Sequence, residues 1–118
     1  SSKNEAHYVC ALVNSSPFQF AAISYSQKGG KSMGSTHVLE HIYIPRFDPN
    51  DPVHCRLAEL SMKAHEVAKN GDETRLREIE AEIDRCAAKL WKLSNDELQD
   101  IQQFLAILDA VPEPTEEE

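Results

Sequence analysis

Residues 73–108, ETRLREIEAEIDRCAAKLWKLSNDELQDIQQFLAIL, decide the fold. Leu76, Ile79, Ile83, Cys86 and Leu90 follow one another at intervals of 3, 4, 3 and 4 residues, which predicts one apolar stripe along a helix from about 73 to 92. A strand could not use this pattern, because its side chains alternate between faces with a period of two. Ser94-Asn95-Asp96-Glu97 then has the form of a capping box, Ser first and Glu three residues later. It opens a last helix in which Leu98, Ile101, Leu105 and Leu108 repeat the spacing. Working back, Leu57, Leu60, Ala64 and Val67 mark one face of a helix over 53–70, and Asn70-Gly71-Asp72 ends it with Gly where a left-handed residue is favoured. Residues 53–110 thus read as an antiparallel helical hairpin plus a third helix, and the fold class is mainly α. Glu78, Glu80, Glu82 and Asp84 are expected on a solvated helix face, and Trp91 as a core or interface anchor.

The preceding half is read outward from Asn14-Ser15-Ser16-Pro17. Pro in a first helical turn after Ser is a start signal, so a helix from Asn4 should break at Asn14–Ser16 and a second begin at Pro17. Phe18 to Tyr25 would also suit a strand, being rich in aromatics and Ile. Gln27 to Thr36 has loop composition, with Ser35 or Thr36 able to cap a short turn over His37–His41. Ile42-Tyr43-Ile44 alternates like a short strand that Pro45 stops. Arg46-Phe47-Asp48-Pro49-Asn50-Asp51-Pro52 reads as a rigid connector. The expected organisation is a helical and short-strand portion over 1–52, the helical segment 53–110, and an acidic tail 111–118 too poor in apolar residues to order itself.

At 118 residues, 41 % hydrophobic and 27 % charged, the chain has the composition of a globular protein, and no apolar run nears the length that spans a membrane. It opens Ser1-Ser2-Lys3 without Met, which leads us to expect a piece of a longer protein. Cys10, Cys55 and Cys86 are an odd, scattered set without a CxxC pair, pointing to a reducing, cytoplasmic compartment. The net charge of −8 is uneven: residues 1–52 balance four basic against four acidic residues, and all the excess acid lies beyond. An anionic partner such as nucleic acid would have to use the neutral half.

Gln27-Lys28-Gly29-Gly30-Lys31-Ser32-Met33-Gly34-Ser35-Thr36-His37 invites comparison with a nucleotide-binding P-loop. That motif needs a further Gly five positions before Gly30-Lys31-Ser32, where Tyr25 stands, so a nucleoside triphosphate site is excluded. What survives is a set of donors suited to a nucleic-acid backbone: two lysines, three hydroxyls and backbone N–H groups that glycine leaves accessible. His37-Val38-Leu39-Glu40-His41 matches an inverted zinc-protease signature, but the turn is too short before Ile42 to hold ligands on a solid helix. No metal is expected there. His54 and Cys55 are helix neighbours about 100° apart and cannot act as base and nucleophile, so Cys55 is expected to be packed. No catalytic constellation emerges.

Three runs together carry a resemblance: Leu12-Val13-Asn14-Ser15-Ser16-Pro17-Phe18-Gln19-Phe20, Gly29-Gly30-Lys31-Ser32, and Ser35-Thr36-His37-Val38-Leu39-Glu40-His41-Ile42-Tyr43-Ile44-Pro45-Arg46-Phe47. In that order and spacing the chain resembles the C-terminal part of N6-adenine DNA methyltransferases of bacterial restriction-modification systems, including those fused to a restriction nuclease. There, an "LNS" helix, a polar loop and a segment ending "I-x-I-P" belong to the target recognition domain. Glu80 to Arg85 and Leu90 to Leu98 are similar to that family's closing helices. The family's Asn/Asp-Pro-Pro-Tyr/Phe loop, whose aromatic stacks on a flipped adenine, is absent. Asn14-Ser15-Ser16-Pro17-Phe18 has two serines between Asn and a single Pro, and no glycine-rich S-adenosylmethionine site precedes it.

The resemblance therefore implies a non-catalytic fragment that holds no cofactor, with S-adenosylmethionine bound and methyl transfer performed elsewhere in a parent enzyme. It further implies that Gln27–His37 faces double-stranded DNA. Lys28 and Lys31 would neutralise phosphates, Ser32, Ser35 and Thr36 would donate hydrogen bonds to them, and Gln27 or His37 would reach a base edge. A different class also fits: a helical interaction or homodimerisation module without DNA contact, supported by the acidic charge and the two heptad-like seams.

Overall fold

A computed structural model of the chain describes residues 2–26 and 42–110. The described residues form five helices and no strand: α1 (Ser2–Asn14), α2 (Ser16–Ser26), α3 (Pro52–Lys69), α4 (Glu73–Leu90) and α5 (Asn95–Ala110). The mainly α reading is correct. The helical reading of Phe18–Tyr25 holds over the strand alternative.

Each helix end has a chemical cause. Asp51 caps α3, its Oδ1 accepting from the N–H groups of Val53 and His54, while Pro52 fills the first helical position, where no N–H is needed. Gly71 ends α3 at φ 76°, with Gly71 N–H bonded to Ala68 O and Asp72 N–H to Val67 O, the paired bonds of a Schellman motif. Lys92 and Leu93 repeat those bonds after α4, to Lys89 O and Ala88 O. The Ser94–Glu97 capping box is formed in both directions at 2.8 and 3.0 Å.

α1 packs along α3 and α3 along α4, while α2 lies against α5. One core runs through all five helices: Tyr8 and Leu12 of α1, Phe20 of α2, Leu57 and Leu60 of α3, Ile79 and Ile83 of α4, Leu98 and Ile101 of α5, closed by Trp91. It draws on both sides of the Arg46–Pro52 connector. Burial of these apolar side chains, at about 1.5–3 kcal/mol each for the larger ones, is the main stabilising term. α3 and α4 are also joined by a fork from Arg56 to Glu82, with Glu59 on its other side.

Two expectations need correcting. Residues 42–48 take no regular secondary structure, and among the described residues no strand offers them a ladder. Instead, side chains take their carbonyls: Tyr8 Oη–H donates to Pro45 O at 2.8 Å, and the Trp91 indole N–H donates to Tyr43 O. Nor does the whole acidic face of α4 lie in solvent. Asp84 is buried, since it receives the first N–H of α2. The predicted tail over 111–118 and the turn over His37–His41 lie outside the described residues.

Candidate functional site

All seven residues expected to contact DNA, Gln27, Lys28, Lys31, Ser32, Ser35, Thr36 and His37, lie outside the described residues, as do His37, Glu40 and His41 of the zinc-like motif. Their flanks are described, and both are tied to the helical body. On one side, α2 seats Phe20 edge-on against Phe104 of α5, with ring centroids 5.7 Å apart. On the other, the irregular segment from Ile42 to Asp48 is clasped at three points. Tyr8 and Trp91 hold two of its carbonyls, and His54 Nδ1 accepts the N–H of Asp48 at 3.0 Å.

The chemistry of that third point fixes a tautomer. A nitrogen that accepts carries no proton, so the neutral His54 ring is protonated on Nε2, which faces Asp51 Oδ2 at 3.5 Å. The ring packs on Tyr8 at 4.7 Å and lies near Phe47 at 6.2 Å, forming an aromatic cluster under the irregular segment. Burial raises the Tyr8 phenol to about 12, helped by the nearby Asp51 and Tyr43. It is therefore a hydrogen-bond donor at every physiological pH. The sequence pattern gave no hint of this clasp beyond Asp51-Pro52, a cap followed by its natural first residue.

The second feature is a cleft of about 530 Å³ where α1, α2, α3, α4 and α5 meet, lined by Asn14, Ser16, His65, Arg77, Asp84 and Gln102 among others. At its floor Asp84 accepts from Ser16 N–H at 2.8 Å, Ser16 Oγ–H at 2.6 Å and Gln102 Nε2 at 2.9 Å. Three donors from α2 and α5 on one carboxylate make it a structural bracket.

A third cluster is His7, Ser61 and His65. His7 Nδ1 lies 2.9 Å from Ser61 Oγ, and His65 Nδ1 lies 2.8 Å from Ser61 O, with the two imidazoles edge-to-face at 5.2 Å. The serine and His7 have the spacing of a nucleophile and its base. Ser61 is only 2 % exposed, however, so no carbonyl substrate can reach its hydroxyl. Among the described residues no group of three or more His, Cys, Asp or Glu could hold a metal ion. The three cysteines are free thiols, and Cys55 is exposed, contrary to the expectation of a packed residue, because its Sγ reaches only Pro49 O at the helix start. Burial, with Glu82 nearby, raises the Cys86 thiol. No described helix is long and apolar enough to cross a membrane.

No protein-family profile, curated protein or solved structure matches the chain.

Proposed function

We propose that the chain is a non-catalytic C-terminal fragment of a DNA adenine methyltransferase of a restriction-modification system, contributing DNA target recognition through residues 27–37. The observation that carries this reading is the order and spacing of the "LNS" helix, the Gly/Lys/Ser stretch and the "I-x-I-P" segment. The packing supports it in one respect. Loops that read ligands work from rigid supports. The flanks of residues 27–41 are of that kind, α2 being seated on α5 and Ile42–Asp48 clasped by Tyr8, Trp91 and His54.

In this function Lys28 and Lys31 supply sequence-independent attraction to phosphates, Ser32, Ser35 and Thr36 fix register, and Gln27 or His37 touches a base. Two lysines give feeble affinity alone, so the parent enzyme provides most of the binding and all of the methyl transfer, with S-adenosylmethionine as donor. The test is Lys28→Glu with Lys31→Glu in that full-length enzyme. Duplex binding should weaken while methyl-donor binding is retained. Unchanged duplex affinity would sink the DNA-facing role.

A second reading has its own support. Ile107 is 64 % and Leu108 38 % exposed near the end of α5, an apolar end suited to a helical partner or a second copy. It would prevail if the charge reversals had no effect.

A further inference from the structure

We propose that the cleft between the start of α1 and the end of α3 binds a phosphate group. In a chain of net charge −8, this concavity of about 780 Å³ is lined by Lys3 and His7 from α1 and by His65 and Lys69 from α3, with Glu66 the sole acid on its wall. Neither lysine has a carboxylate partner among the described residues, and both line the same hollow. Two lysines without ion-pair partners thus line one hollow.

Ser61 adds the order that a surface cluster lacks. A carbonyl oxygen only accepts, so His65 Nδ1 carries the proton in its bond to Ser61 O. His7 Nδ1 is likewise occupied by Ser61 Oγ. Each ring therefore has its Nε2 left for a ligand, that of His65 donating only when the ring is the imidazolium, since its neutral form carries the proton on Nδ1, and the edge-to-face contact limits their rotation. Fixing the donors beforehand lowers the entropy lost on binding. Two ammoniums and two imidazole nitrogens suit the several oxygens of a phosphate better than the two of a carboxylate.

The charged groups around the two rings are Lys3 from α1, Glu66 and Lys69 from α3, and, across His65 in the neighbouring cleft, Arg77, Glu80 and Asp84 from α4. That the phosphate belongs to a nucleic-acid backbone rests on the function proposed above; the phosphate chemistry does not.

The test is a proton NMR titration of the histidine ring signals in the 118-residue chain with inorganic phosphate, at ionic strength held constant with chloride. His7 and His65 should shift saturably with phosphate and not with chloride, while buried His54 stays unmoved. Lys3→Gln with Lys69→Gln should weaken the apparent phosphate affinity about three- to tenfold without loss of helical circular dichroism. Equal shifts in phosphate and chloride, or a double variant that binds as tightly as the parent chain, would overturn the site. A DNA duplex that displaces phosphate identifies the backbone as its source. A duplex that leaves phosphate bound assigns the site to a free phosphate ester and counts against DNA at this face, leaving Lys28 and Lys31 to be judged by their own experiment.

Discussion

Lys92 occupies a left-handed conformation at φ 60°, a region where a Cβ crowds the following carbonyl. It is held there because the Schellman bonds after α4 and burial of Leu93 both require the turn. Gly71, in the same role after α3, has no such cost. Lys92→Gly should therefore stabilise the protein by about 0.5–1 kcal/mol in urea denaturation. Tyr8 makes a second prediction at this scale. Its phenol loses a proton near pH 10 when unfolded but near 12 when folded, so the native state binds more protons between those values. The sign follows: its stabilising effect is complete below pH 10 and is lost as pH rises from 10 through 12. Tyr8→Phe should flatten the fall in melting temperature over that window, while lowering stability at neutral pH through loss of the bond to Pro45 O.

Among the elements, α2 depends on a neighbour for its cap. Ser15 is turned back, its Oγ–H donating to Leu12 O, so the carboxylate that meets the first N–H of α2 comes from Asp84, 68 residues away in sequence. The same group holds Gln102 of α5. Asp84→Ala leaves Ser16 and Gln102 donors unpaired at a partly buried site and should cost about 2–4 kcal/mol in chemical denaturation, more than Ser16→Ala. This separates what was legible from what was not. Helix periods, the Gly71 stop and the Ser94 capping box are local and stand in the sequence. A cap supplied by a distant helix has no local signature, and Asp84 among Glu80, Glu82 and Arg85 looks like any solvated charge. The segment after Ile42 was misread for a related reason. Alternation shows that a chain is extended but not whether another strand or the side chains of Tyr8 and Trp91 will take its carbonyls.

At the scale of the whole molecule, the core ignores the proline-rich connector. Tyr8 and Leu12 pack with Leu57, Leu60 and Trp91, so residues 53–118 alone would expose the face of α3 that α1 covers. Such a truncated chain should lose the cooperative thermal transition of the full chain, measured by circular dichroism at 222 nm. The residues proposed to face DNA are legible only as composition and motif order, in a stretch whose flanks the helical body fixes. The most direct measurement is the salt dependence of duplex binding by the intact parent enzyme we propose, with and without Lys28→Gln and Lys31→Gln. Each phosphate contact contributes about 0.9 to the slope of log affinity against log salt, so losing two should make the slope shallower by roughly 2. An unchanged slope and affinity would contradict DNA recognition by this chain and leave it as a helical interaction module.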